Sequence, residues 1–217
     1  MTTLFRLDAS ISIEGSHSRG LADVVEAEWT AAGSGDTVIR RDLGRAPLSA
    51  TTWATAAFAG YTAPEARTAE QQQALAVAAE LADELIAADA FLFAVPLYNF
   101  NVSSHFKAWV DTVLTDPRFA PGGEQVLAGR PTVLVTSRGG AYGEGTPRAG
   151  WDHATPWIQR ILSDVWGLDV VTVEKEFTLV GVNPALDQFA ELAAKMHAAA
   201  EADARAQGQA LGARVSA

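Results

Sequence analysis

Residues 96–101 read Pro-Leu-Tyr-Asn-Phe-Asn and directly follow the apolar run Ala-Phe-Leu-Phe-Ala-Val. Two rings interleaved with two amides set flat faces beside hydrogen-bonding edges, which is the chemistry that holds a planar, polar-edged molecule. The plainer use of the same residues is that Tyr98 and Phe100 fill core while Asn99 and Asn101 make a turn. A second stretch, residues 10–20, reads Ser-Ile-Ser-Ile-Glu-Gly-Ser-His-Ser-Arg-Gly. Its Ser10, Ser16 and Ser18 precede a helical pattern. Hydroxyls, free N–H groups and the positive end of a helix dipole together suit a dianionic phosphate. Arg19 can add a charge-assisted hydrogen bond; an ordinary Ser-rich helix cap is the other reading. The third stretch is Thr-Ser-Arg-Gly-Gly-Ala-Tyr-Gly-Glu-Gly, residues 136–145, with four glycines between 139 and 145. Glycine permits positive φ and close backbone approach to a ligand, although a glycine-rich surface loop needs no ligand to explain it.

Strands and helices must position these stretches. Residues 3–10, 36–43, 90–96, 131–137 and 168–175 read as strands, and the third and fourth are continuous apolar runs of the kind found in parallel strands covered on both faces. Helical spacing joins Leu21, Val24, Val25 and Trp29; then Leu75, Ala78, Ala82, Leu85 and Ile86 behind a capping box at Thr68–Gln71; then Phe106, Trp109, Val110, Val113 and Leu114, capped by Ser103 or Ser104. Thr155-Pro156 opens a helix carrying Ile158, Ile161, Leu162 and Val165. Asn183-Pro184 opens the last, with Leu186, Phe189, Ala193 and Met196 inward. The Ala-rich end beyond about 198 reads as a fraying helix and a tail. This alternation predicts one α/β domain over residues 1–217, a flavodoxin-like three-layer sandwich with a five-stranded parallel sheet of order 2-1-3-4-5. All three stretches then leave the carboxyl rim of the sheet, where such folds bind ligands. A planar heteroaromatic joined to one phosphate satisfies them together, and flavin mononucleotide (FMN) has that shape.

Bulk properties narrow the alternatives. The 217 residues carry a formal net charge of −10, 48% hydrophobic residues and no cysteine. Acidity without a basic stripe argues against nucleic acid. Lack of cysteine removes disulfides, thiolate catalysis and Cys-bound metals. No apolar run approaches the roughly 20 residues of a membrane helix, and the first residues show no signal-peptide pattern, so a cytoplasmic protein without membrane association is expected. The four histidines, 17, 105, 153 and 197, stand far apart in sequence, and no metal site is expected. A hydrolase built on Ser16 and His17 lacks the Gly-x-Ser-x-Gly elbow.

The Ser-rich first loop, Pro-Leu-Tyr-Asn-Phe-Asn with the helix Ser-Ser-His-Phe-Lys-Ala-Trp-Val-Asp, and Thr-Ser-Arg-Gly-Gly resemble the FMN-dependent NADH:quinone reductases, also called azoreductases, along essentially the whole chain. The resemblance implies a homodimer with one non-covalent FMN per subunit. Carried over by position, Ser10, Ser16 and Ser18 would hold the phosphate and ribityl end. Pro96, Leu97, Tyr98, Asn99 and Phe100 would embrace the isoalloxazine, with Asn99 at its polar edge, and Ser137, Arg138, Gly139 and Gly140 would close its pyrimidine side. Tyr142 falls beside the flavin. Phe119 stands where some members carry Tyr, which implies an apolar lid. Arg19 replaces a smaller polar residue.

The reaction implied is ping-pong two-electron reduction of quinones or azo compounds, with NADH as donor and NADPH not excluded; the flavin carries the chemistry and no side chain is singled out as catalytic. The aromatic connection 44–67, with Phe58 and Tyr61, forms with Phe119 and Tyr142 either a substrate wall or buried dimer surface. A flavodoxin-type electron carrier, and a same-fold flavoenzyme given to one biosynthetic reduction, are the competing readings.

Overall fold

The computed structural model describes residues 2–33, 37–120 and 122–215. Asp36, at the expected start of the second strand, lies outside the described residues, as do Ser216 and Ala217 of the expected tail. Strands β1 (Thr3–Asp8), β2 (Thr37–Asp42), β3 (Ala90–Ala94), β4 (Pro131–Ser137) and β5 (Asp169–Lys175) pair in parallel in the order β2-β1-β3-β4-β5. Every residue of β3 and β4 is buried, the polar Thr132, Thr136 and Ser137 of β4 included, as central strands covered on both faces require.

Helices α1 (His17–Ala31) and α6 (Ala190–Val215) cover one face; α3 (Ala69–Ile86), α4 (Ser104–Val113) and α5 (Thr155–Gln159) cover the other. Strand alternation separates the two cores. Phe5, Phe91 and Phe93 face α3 and α4, where Trp109 stacks on Phe5 with ring centroids 6.1 Å apart. Ala90, Leu92 and Ala94 face α1 and α6. β1 also buries Arg6 and Asp8, which pair at 3.0 Å, and Arg6 reaches Glu26 of α1 at 3.0 Å. Buried charges of this kind persist because they are paired.

The caps are formed as expected. Thr68 Oγ1 accepts from the Gln71 N–H at 3.2 Å while Gln71 Oε1 accepts from the Thr68 N–H at 3.0 Å, and Ser103 Oγ accepts from the Phe106 N–H at 3.2 Å. Three expectations change. Residues 44–67 are not an open connection, since Thr52–Ala59 form α2, packed on α3 and α4. The helix opened by Thr155 passes at Arg160–Val165 into a π turn; the extra residue per turn keeps Ile161 and Leu162 buried.

The last segment differs most. Asn183-Pro184 opens a 3₁₀ turn, Pro184–Phe189, whose Leu186 and Phe189 are not buried, and α6 starts only at Ala190. Beyond 198 the helix does not fray, because Ala200, Ala204, Gly208 and Leu211 are buried against α1. A Cβ on Gly208 would lie 2.5 Å from the Val25 carbonyl oxygen, so this contact depends on glycine. Among the described residues, no helix is long and apolar enough to cross a membrane.

Candidate functional site

β1 has β2 on one side and β3 on the other, so the chain order reverses there and a crevice opens beyond the carboxyl ends of β1 and β3. The first loop enters it as the sequence implies. Ser16 is the N-cap of α1, its Oγ accepting from the Arg19 N–H at 3.4 Å and lying 3.3 Å from Ser18 Oγ. The N–H groups of His17 and Ser18 open the helix and have no intrahelical acceptor. Three oxygens of an incoming dianion would find hydroxyls and N–H groups on one helix end.

Arg19 is not available to that dianion. Its guanidinium donates to both carboxylate oxygens of Asp42, at 2.8 and 2.7 Å, and to the carbonyls of Ser10 and Ser12 at 3.0 and 3.1 Å. It fastens the first loop to the end of β2. Gly44, two residues past the end of that strand, completes the fastening, since a Cβ there would lie 2.1 Å from the Ser10 carbonyl oxygen. Neither Asp42 nor Gly44 carries a motif, so sequence reading gave no reason to choose them.

After β3 the chain keeps pairing with β4, the Val95 N–H donating to the Val135 carbonyl and the Leu97 N–H to the Ser137 carbonyl, both at 2.9 Å. Tyr98 and Asn101 then exchange backbone bonds at 2.8 and 2.9 Å around Asn99 and Phe100, whose φ values are 47° and 70°. Two successive positive φ angles make a type I′ turn. Asn tolerates that conformation; Phe does not adopt it without strain, and strained residues of this kind cluster at functional sites. Asn99 is exposed, and Phe100 meets Tyr142 and Trp151 edge-on at 6.4 and 5.5 Å.

Tyr98 plays a part beyond a flat ring. Its hydroxyl lies 3.1 Å from Ser10 Oγ and accepts from the Ile11 N–H at 3.2 Å, tying the first loop to the second. Tyr98→Phe removes both bonds while keeping the ring. FMN affinity is expected to fall by about 1 kcal/mol, roughly fivefold, with the unfolding midpoint nearly unchanged; fluorescence titration of the apoprotein measures it.

In the third loop, the carbonyls of Arg138, Gly139 and Gly140 accept from the N–H groups of Thr178, Leu179 and Phe177 at 3.0, 3.2 and 3.2 Å. Among the described residues the N–H groups of Gly139 and Gly140, like those of Asn99 and Phe100, have no acceptor. Two facing turns therefore present unpaired backbone donors at one rim. The Arg138 side chain turns away from the rim, which leaves its backbone as the part that could close a ligand's pyrimidine side. Its guanidinium is buried and pairs with Asp152 at 3.0 Å, Glu176 at 3.2 Å and Glu174. Three carboxylates outcompete a neutral ring edge for one cation. Glu176 also accepts the Tyr142 N–H at 2.9 Å, so this cluster shapes the loop from beneath. Tyr142 itself is buried, its ring edge-on to Phe100.

One wall candidate, Phe119, does not reach this rim within the subunit. α4 runs back along the sheet by about 15 Å, at 1.5 Å per residue, and carries Phe119 to the amino ends of the strands. There its ring is buried edge-on against Trp166 at 5.6 Å. A lid over its own subunit's rim is thus excluded for Phe119. Phe58 and Tyr61 are 69% and 90% exposed. Folding also joins two residues the sequence keeps apart: the His17 and His197 rings lie 6.1 Å apart, and burial together with Lys175 and His197 pushes the His17 imidazole below its ordinary range.

Strand order and the three rim loops define a flavodoxin-like protein, and the family described as having a flavodoxin-like fold matches residues 1–204. The chain is 42% identical over 209 residues to the FMN-dependent NADH:quinone oxidoreductase of Frankia alni, covering 95% of this chain and 99% of that one. It is 35% identical to the protein of the same name from Streptomyces avermitilis over 100% of both chains. The chain belongs to the family of FMN-dependent NADH:quinone oxidoreductases. Among solved structures, an azoreductase from Bacillus anthracis str. Sterne superposes with a TM-score of 0.77 at 24% identity, covering 96% of this chain and 99% of that one, which places the fold.

Proposed function

We propose that the protein binds FMN at this rim and uses NADH to reduce quinones, and azo compounds as a second acceptor class, donor and acceptor occupying the same slot in turn. The observation that carries the reading is the pair of turns with unpaired N–H donors, at Asn99–Phe100 and at Gly139–Gly140, beside a Ser-capped helix end. These residues fit the group. Ser10, Ser16 and Ser18, with the first N–H groups of α1, would hold the phosphate. Pro96, Leu97, Tyr98, Asn99 and Phe100 would lie along the ring plane, and Ser137, Gly139 and Gly140 along its carbonyl edge. Bound flavin supplies hydride and two-electron chemistry, so that NADH, a proton and a quinone become NAD⁺ and a hydroquinone.

What the chain contributes is position and charge. Fixed N–H dipoles at Gly139 and Gly140 stabilise negative charge on a neighbouring carbonyl edge without having to reorganise. Phe100 packs edge-on against Tyr142 and Trp151, which braces one side of the turn. Phe58 and Tyr61 are exposed aromatics that a second copy of the chain would cover, which supports the homodimer reading. The test is direct. The purified protein, offered FMN, should become yellow, bleach with NADH under anaerobic conditions and recover on adding menadione. A chain that stays colourless in excess FMN sinks the proposal; one that bleaches but does not recover with menadione or an azo dye sinks the acceptor assignment.

A further inference from the structure

A cavity of about 500 Å³ opens on the third rim loop, between that glycine-rich stretch after β4 and the segment that follows β5. Its volume is that of sites for small organic ligands. The walls are mainly apolar: Phe177, Leu179, Leu186, Phe189 and Leu192 line it, with the Phe177 and Phe189 rings 5.3 Å apart. Leu179, Phe189 and Leu192 are 43%, 36% and 46% exposed, so the cavity leaves apolar surface in water. None of the residues at 10–18 or 96–100 lines it; from the third rim loop it takes Gly139, Gly140, Ala141 and Gly145.

The polar part of the lining is one-sided. Arg148 is the sole charged lining residue. Its guanidinium lies over the Tyr142 ring, 5.8 Å from the centroid, and donates to the Tyr142 hydroxyl at 3.3 Å. Among the described residues no carboxylate lies within ion-pair distance of it. In a chain of net charge −10, an arginine without a carboxylate at the mouth of an apolar cavity is a selective feature. Arginine forks onto planar or tetrahedral oxyanions and also lies flat on rings.

We infer that this cavity is a second ligand site, taking a small aromatic molecule that carries one carboxylate or sulfonate: the ring system sits among Phe177, Leu186 and Phe189, and the anion on Arg148. The concave shape and lone cation favour such a molecule over a second protein copy. A copy would bring a broad face, and this chain's surface is dominated by its own acids.

Calorimetry on the FMN-loaded protein tests the site with naphthalene-2-sulfonate against neutral naphthalene-2-methanol, neither of which accepts hydride. The sulfonate should bind one per chain and more tightly than the alcohol. Arg148→Gln should weaken the sulfonate about tenfold, the size of one charge-assisted bond, and leave the alcohol unchanged, while Arg148→Lys recovers part of the loss. Leu186→Glu should abolish binding of the sulfonate. Equal affinity for the two probes, or no effect of Arg148→Gln, overturns the assignment. So does sulfonate binding that appears only in the FMN-free protein, which would put the probe in the flavin slot. Binding that disappears as the chain self-associates shows the face covered by a second copy and overturns it too. The readout is binding, so it stands or falls apart from the reductase activity.

Discussion

Gly44→Val should leave the protein folded but with a markedly weaker hold on FMN. A Cβ at Gly44 would lie 2.1 Å from the Ser10 carbonyl oxygen and 3.2 Å from its carbon. The obstacle is backbone, which no side-chain rotation relieves, and Arg19 prevents retreat by holding the Ser10 and Ser12 carbonyls. Ser10 must therefore move, and with it the oxygen that meets Tyr98 at 3.1 Å. Overpacking of this kind costs about 1–3 kcal/mol. Because the displaced residue belongs to the proposed phosphate loop, most of it should appear as a loss of about tenfold or more in FMN affinity. Gly20→Ala is the control, since nothing lies within 4 Å of its Cβ position and the change favours the helix by roughly 0.5–1 kcal/mol. FMN titration of both variants decides the matter; wild-type affinity in Gly44→Val would refute the fastening.

The same fastening sets an acid limit. Burial pushes the Asp42 carboxyl upward, but Arg19 and the N–H groups of Arg45 and Gly44 outweigh it and hold the group below the usual carboxylate range. A carboxyl depressed on folding contributes its full stabilisation above its unfolded value and loses it as pH falls through the folded one. FMN release on acidification should therefore carry a step below the ordinary Asp range that Asp42→Asn removes.

Arg138→Leu is expected to cost the most stability. The guanidinium is 6% exposed, and Asp152 and Glu176, its better-buried partners, have side chains 13% and 11% exposed. Removing the cation leaves two carboxylates confined together without an opposite charge, a change that costs about 3–5 kcal/mol. Glu174 is 43% exposed and adds less. Arg138→Lys should restore only part of the loss, because an ammonium cannot fork onto several carboxylates. Glu176 also holds the Tyr142 N–H, so surviving protein should bind FMN more weakly. Denaturant unfolding measures the first effect. A midpoint within error of wild type would show that the cluster is not what holds this loop.

The amino-acid order by itself matched the chain to a known strand order and determined the elements that build it. Those rest on short-range physics: continuous apolar runs for β3 and β4, helical spacing between strands, and hydroxyl caps at Ser16, Thr68 and Ser103, each legible within a few residues. Only the tertiary structure decided which polar side chains face the rim. Arg19 read as a cation for the phosphate and Arg138 as part of a loop closing on the ligand, yet each side chain meets carboxylates brought from other strands, Asp42 from β2 and Glu174 and Glu176 from the end of β5. Phe119 read as a lid, but α4 carries it to the opposite end of the sheet, and the Ala-rich end read as a tail because a small-residue stripe shows its value only when α1 lies against it. In each case the deciding partner is distant in the chain, and a charge or a methyl group has no preferred environment until folding supplies one.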